Sequence, residues 1–252
     1  MTTLEVLFTP ADFAALSQRD LGDTVCVVFD VLRATSSMVT ALGNGAAAVL
    51  PVEEISEALD ARRRQPDVLL AGERDGVRIR ADLTGSIDFD LGNSPREFTP
   101  ERVKDRTIVM TTTNGTRALR SCGPAKTVLA GSFLNLSATS EFLTHERPLK
   151  LLLVCSGTFE EAAFEDVLGT GALCELLWAS YGAGAVADSA RMAHNLFLLE
   201  QGNLTAAFAR SRNGRRLLSK PELREDVEFC LRRDSVPLVA ELNRQGMVVK
   251  RD

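Results

Sequence analysis

Histidine is scarce in this chain of 252 residues: His145 and His194 stand alone, far apart and without ligand spacing. That argues against a zinc centre, which draws on clustered His and Cys, and leaves each histidine a surface or core residue. Cysteine is present but unpaired in pattern. Cys26, Cys122, Cys155, Cys174 and Cys230 are odd in number, scattered, and lack any Cys-x-x-Cys spacing. They read as reduced, mostly buried thiols of a cytoplasmic protein. No apolar run approaches the ~20 residues of a spanning helix, and Leu151–Cys155 is only strand-sized. The opening Met-Thr-Thr-Leu-Glu-Val has neither the basic flank nor the apolar core of a secretory signal. Positive charge is not in surplus either; a net charge of −5 argues against a general nucleic-acid binder. The Gly-x-x-x-x-Gly-Lys-Ser/Thr loop is missing, which excludes that type of nucleoside triphosphatase. No Gly-x-Gly-x-x-Gly follows a strand, so a dinucleotide fold has no support; Gly157, Gly169 and Gly171 fit neither pattern. Internal repeats and low-complexity linkers are absent as well.

What remains is an ordinary globular composition, 45% apolar and 25% charged. Short apolar runs at Leu4–Phe8, Thr24–Phe29, Ala48–Val52, Val68–Ala71, Thr107–Met110, Lys126–Ala130 and Lys150–Val154 read as strands. Helical patterns lie between them at Ala11–Ser17, Ser36–Leu42, Glu53–Arg64, Thr116–Ser121 and Ser137–Thr144. The strands are near-continuous Val, Ile and Leu, as in sheets covered on both faces. The expected fold is therefore a three-layer α/β/α domain with a largely parallel or mixed sheet. From about residue 169 the pattern turns helical (Gly169–Tyr181, Asp188–Gln201, Leu204–Arg210, Glu222–Arg232), with Met247–Lys250 able to add a last strand. Ser219-Lys-Pro-Glu222 reads as a helix start. These helices are expected to pack on the sheet within one domain of residues 1–252, with two subdomains as the variant. Met192 and Phe197 read as core.

The segment Ile108-Val-Met-Thr-Thr-Thr-Asn-Gly-Thr116 carries the most information. A β-branched run ends in a hydroxyl-rich turn that opens a helix, with Arg117 in its first turn. Free N–H groups and the helix dipole favour an anion there, although the same residue types make an ordinary capping turn. Other polar clusters also follow strands: Asp30, Arg33, Thr35, Ser36 and Ser37; Glu73 and Arg74; Ser132 and Asn135; Thr158, Glu160, Glu161, Glu165 and Asp166. In an open parallel sheet those tips converge on the edge where ligands bind. Asp30 ends the run Val27-Val-Phe and can bind a divalent metal, attack phosphorus, or merely cap the next helix. With Glu73, Glu165 and Asp166 it forms an oxygen-only set suited to Mg²⁺. Arg33, Arg74, Arg96 and Arg117, with Arg78 and Arg80 nearby, add the cations that a multiply charged anion needs. Asn93, Ser94 and Arg96 of Gly-Asn-Ser-Pro-Arg form one more anion-binding constellation.

Several of these segments together resemble one family, the Mg²⁺-dependent 2-phosphosulfolactate phosphatases of coenzyme M biosynthesis. They are VVFDVLRATSS (27–37), AGER (71–74), FDLGNSPREF (89–98), TTTNGTRAL (111–119), GSFLN (131–135), VCSGT (154–158), EDVLGTGAL (165–173) and SRNGRRL (211–217). The resemblance implies an α/β/α fold, a homodimer, and hydrolysis of (R)-2-phospho-3-sulfolactate to 3-sulfolactate and phosphate. On that basis Asp30, Glu73 and Asp166 would hold Mg²⁺. The Thr112–Thr113–Asn114 turn and Arg117 would stabilise charge in transfer. Arg33, Arg96, Asn93 and Ser94 would clamp the carboxylate or sulfonate, and Thr35, Ser36, Ser132 and Asn135 complete the expected substrate contacts. Asp30 as nucleophile and Glu165 as activator of water both stay open. Asp75 intervenes before the second glycine expected after Gly-Glu-Arg, and Val77–Asp88 is longer than the usual link, readable as a hairpin turning at Asp82–Gly85. The alternatives are a Mg²⁺-dependent phosphatase for another small acidic phosphomonoester and a catalytically silent module that binds a phosphorylated ligand. Neither nucleic acid nor membrane is an expected partner.

Overall fold

The computed structural model describes residues 2–251. Its centre is strand β2 (Thr24–Phe29), whose six side chains are all buried. Alternate residues serve opposite cores: Cys26 and Val28 face one, Val25, Val27 and Phe29 the other. A strand wrapped in this way must be apolar throughout, which is why Thr-Val-Cys-Val-Val-Phe shows no in–out alternation. Each fully buried Val or Phe contributes roughly 1.5–3 kcal/mol.

The other strands are β1 (Thr3–Leu7), β3 (Ala48–Val52), β4 (Leu69–Arg74), β5 (Val77–Arg78), β6 (Thr107–Thr111) and β7 (Thr127–Gly131). They are followed by β8 (Lys150–Cys155), β9 (Ala185–Val186), β10 (Ala240–Leu242) and β11 (Val248–Lys250). All join one eleven-stranded sheet in the order β5-β4-β6-β3-β11-β10-β7-β2-β8-β1-β9. Two parallel blocks, β4-β6-β3 and β7-β2-β8-β1-β9, are joined by the antiparallel hairpin β10–β11, with Val248 on Val49 and Ala240 on Ala130. The sheet is thus mixed and mostly parallel, and β10, β5 and β9 are additions that the sequence pattern did not reveal.

Helices α1 (Pro10–Ala14), α2 (Ala34–Gly43) and α3 (Ile55–Arg64) are followed by the short turns α4 (Ala81–Thr84) and α5 (Pro100–Val103), then α6 (Gly115–Ser121). Phe13, Met38 and Leu119 of α1, α2 and α6 fill one face of the sheet. The other face takes α7 (Leu136–Glu146), α8 (Phe164–Tyr181), α9 (Asp188–Glu200), α10 (Leu204–Arg210), α11 (Arg212–Leu218) and α12 (Arg224–Cys230). The α8–α9 contact is close because Gly171 has no side chain; a Cβ there would lie 2.2 Å from the Ala193 carbonyl. Among the described residues no helix is long and apolar enough to cross a membrane.

Four local expectations need correction. Helix α8 begins at Phe164, five residues early, so Glu165 and Asp166 sit in a first helical turn rather than a loop; acids are favoured there by the helix dipole. Ser219 ends α11 as its C-cap and α12 starts only at Arg224. The 77–88 segment is no simple hairpin: β5 folds back on β4 through Asp75-Gly76, and Asp82–Gly85 is a helical turn closed by Gly85 at φ 72°. Met192 is 62% exposed, whereas Phe197 is buried.

Candidate active site

Asp30 follows the last residue of β2, at the carboxyl edge of the sheet. Its Oδ1 accepts from the Ala34 amide at 3.0 Å, so it holds the start of α2. Its Oδ2 lies against Gly115, where a Cβ would come within 2.4 Å. A side chain at 115 would therefore drive the carboxylate aside. Gly115→Ala is expected to cut turnover at least tenfold and to lower the melting temperature as well, since the new Cβ would also lie 2.7 Å from Ala34 Cβ at the start of α2. Steady-state kinetics beside a thermal melt checks this, and unchanged kinetics would remove Asp30 Oδ2 from the site.

Two further carboxylates stand behind it on α8. Asp166 accepts from the Val31 amide on Oδ1 at 2.8 Å, and from Ser156 Oγ and the Gly157 amide on Oδ2 at 3.0 and 3.1 Å. Glu165 accepts from Asn213 Nδ2 at 2.6 Å on Oε1, and its buried Oε2 has no partner among the described residues. Burial and the proximity of Glu73 and Glu165 push Asp30 up to about 6, although the Ala34 amide opposes this. Burial and the Asp30 charge hold Asp166 well above the usual carboxylate range, and burial raises Glu165. Carboxylates crowded and desolvated in this way resist sharing one negative region without a cation.

Glu73, at the end of β4, ties the two walls together. Oε1 accepts from both the amide and hydroxyl of Thr113 at 2.9 Å, and Oε2 from the Gly76 amide at 2.6 Å. The hydroxyl-rich turn thus spends its donors inside the protein. Thr113 serves Glu73, Thr112 exchanges hydrogen bonds with Thr116, and Thr111 donates to the Glu53 carbonyl. Arg74 is committed to the carbonyls of Glu73 and Glu53 and to Thr111 Oγ1.

Arg33, buried in the turn after β2, donates through Nη1 to Asp226 at 2.8 Å and through Nη2 to the Gly76 carbonyl at 2.8 Å. Ser94 donates to the same Asp226. Asn93 and Asn114 line the cleft, and each keeps a buried amide oxygen without a partner among the described residues.

Asp30, Arg33, Glu73, Arg74, Asn93, Thr113 and Asn114 converge on a cleft of about 200 Å³. The remaining candidates do not line it. Thr35 and Ser36 bond the backbone of their own turn, while Ser132 and Asn135 cap the helical turn after β7 and hold the carbonyls of Ala130 and Leu238. Asp166, Glu165 and Ser94 stand behind the wall. Arg96 pairs with Glu225, and Arg117 is 3.6 Å from Glu160. In place of these outer residues, Asn213, Arg216, Asp75 and Phe159 come to the rim. The Ser211-Arg-Asn-Gly start of α11, with Ser211 capping Gly214, was the signal for the first two.

Asp30, Glu73 and Asp166 do not form a closed metal cage. Among the described residues no three His, Cys, Asp or Glu lie close enough to hold an ion. Glu73 and Asp166 accept protein hydrogen bonds on both oxygens, which fixes the orientation of each carboxylate at the site. The donor set still fits Mg²⁺, which prefers oxygen and works with one or two carboxylates, several waters and a substrate phosphate.

The family model described as 2-phosphosulpholactate phosphatase matches residues 12–245. A probable 2-phosphosulfolactate phosphatase of Caldicellulosiruptor saccharolyticus is 35% identical, over 97% of this chain and 99% of its own. A protein with the same description from Caldanaerobacter subterraneus subsp. tengcongensis is 37% identical over 96% and 97%. One from Thermotoga petrophila is 39% identical over 89% and 91%. A match across so much of the chain has one reading: the chain belongs to the 2-phosphosulfolactate phosphatase family, phosphoric monoester hydrolases.

Proposed function

We propose that the protein hydrolyses (R)-2-phospho-3-sulfolactate to 3-sulfolactate and phosphate with Mg²⁺ as its cofactor, in the cytoplasm and as a homodimer. The observation that carries the reading is the charge balance of the cleft. Its lining pairs three arginines (Arg33, Arg74, Arg216) with three acids (Asp30, Glu73, Asp75). A substrate with about four negative charges, two of them nearly complete on the phosphate, needs additional positive charge there. Mg²⁺ bound at Asp30 would supply it, screening the phosphate and polarising phosphorus. The five free, buried cysteines suit a reducing compartment.

The chain's own residues then divide the work. Asp30, ionised above about pH 6, presents Oδ2 to the phosphate while the Ala34 amide fixes Oδ1. Glu73 keeps Thr113 and Gly76 in place on either side. Arg33 holds an anionic oxygen, and Arg216 answers it from the rim. In the net reaction water adds to phosphorus, the phosphorus–oxygen bond to C2 breaks, and the departing oxygen gains the proton that water gives up.

Phosphate release from 2-phosphosulfolactate, 2-phosphoglycolate and 2-phospholactate, each with Mg²⁺ and with EDTA, is the test. Release that favours the sulfonated substrate and falls at least a hundredfold in EDTA is expected. Release from the plain phosphocarboxylates alone would discard the substrate, release indifferent to EDTA would discard the metal, and none from any would favour a silent binding module.

A further inference from the structure

Asp226 lies on α12, nearly two hundred residues along the chain from Asp30, yet it is wholly buried behind the cleft. Its Oδ2 accepts from Arg33 Nη1 at 2.8 Å, and its Oδ1 from Ser94 Oγ at 2.7 Å with Arg96 Nη1 at 3.6 Å. Arg33 is itself only 3% exposed, and its second terminal nitrogen is fixed by the Gly76 carbonyl. Three distant segments therefore meet on one guanidinium: the turn after β2, the lip between β4 and β5, and α12.

A buried ion pair is weak as a stability device, because an apolar pair of similar volume is often as stable. Its strength is placement. A guanidinium has five N–H donors in a rigid fork, so bonds through both terminal nitrogens fix its plane and direct the others. Asp30 Oδ2 lies against Gly115 of α6, whereas Arg33 is tied to the Gly76 carbonyl and, through Asp226, to Ser94 and α12. The two side chains are thus held by different parts of the fold.

We propose that Asp226 is a positioning residue, which with Ser94 aims Arg33 at the anionic end of the substrate that does not react, its carboxylate or sulfonate. The inference rests on the phosphatase reading above. Asp226→Asn keeps the shape and an acceptor for one partner but removes the charge that orients Arg33. The KM for 2-phosphosulfolactate is expected to rise about tenfold or more with kcat within a few-fold, the signature of lost uniform binding. The preference for 2-phosphosulfolactate over ethyl phosphate, which has no second anionic group, should collapse by a similar factor. Preference for 2-phosphoglycolate over ethyl phosphate, if retained, would assign the sulfonate to Arg33, and its loss by a similar factor would assign the carboxylate.

The double variant Arg33→Met/Asp226→Leu separates aim from packing. It is expected to melt near the wild type and still show the raised KM; recovery of wild-type KM would overturn the proposal. So would a folded Asp226→Asn with wild-type KM, or an equal loss on ethyl phosphate. Calorimetric titration with 3-sulfolactate reads the same contact without turnover. If the wild type hydrolyses no phosphomonoester, the phosphatase reading falls, and the titration still decides this one. Binding at least tenfold weaker in Asp226→Asn sustains it, and equal binding, or none in either protein, overturns it.

Discussion

Replacing Asp30 by asparagine is expected to abolish turnover and raise the melting temperature in the same protein. Asparagine keeps an oxygen for the Ala34 amide, so the start of α2 is preserved. It loses the carboxylate that the phosphate and metal require, and a fall in kcat of roughly a thousandfold or more follows. The stability gain has a defined sign. Asp30 titrates near 3.8 in an unfolded chain and about 6 in the fold. Below pH 4 both states carry the proton and the substitution changes nothing. Between pH 4 and 6 the unfolded chain ionises first, and the wild type loses stability. Above pH 6 the loss is complete, on the order of 1–3 kcal/mol, and asparagine restores it. Melts in EDTA at pH 8 should show a gain of a few degrees that vanishes near pH 4. A gain equal at both pH values would refute the burial argument.

Glu73→Gln is expected to act in the opposite sense, weakening the fold and the catalysis together. Glu73 is 7% exposed and accepts three hydrogen bonds on two oxygens. Glutamine offers one carbonyl oxygen, so its amino group must face either the Gly76 amide or the Thr113 donors. One buried donor left unpaired costs about 1–3 kcal/mol. The two cleft walls then lose their common brace, and a displacement near 1 Å costs on the order of a hundredfold in rate. A second readout separates geometry from charge. Removing the Glu73 charge takes away one of the influences that raise Asp30, so the acidic limb of the pH–rate profile should move to lower pH. Wild-type stability with an unmoved limb would show that Glu73 neither braces the walls nor acts on Asp30.

The elements legible in the sequence are those whose environment is uniform. Strands β2, β3 and β6 lie between two helical layers, so a continuous apolar run marks them almost to the residue. Strand β10 has three residues and a half-buried pattern, too short to show any period. The start of α8 was hidden because Phe164-Glu-Asp reads as a polar loop, although both acids are buried. For the site, the sequence located the strand tips and the Asp30–Arg33 turn. It could not tell which donors face the cleft. A threonine after a strand has the same identity whether it meets a ligand or, like Thr113, a buried glutamate. Asp226 carried a usable signal: it shares the helical face of Leu223, Val227 and Cys230, and a carboxylate on an apolar stripe requires a partner.

The β10–β11 hairpin has a consequence for the protein under stress. Each parallel block has one edge strand facing the other block, β7 and β3, and neither is short, charged or proline-guarded over its whole length as the outer strands β5 and β9 are short. The hairpin alone covers both. Loosening it would bare two rows of unpaired backbone groups at once, on strands rich in alanine, valine and leucine, the kind of edge that recruits strands from other molecules. Protection against self-association is therefore concentrated in a few residues around Ala240–Leu242 and Val248–Lys250.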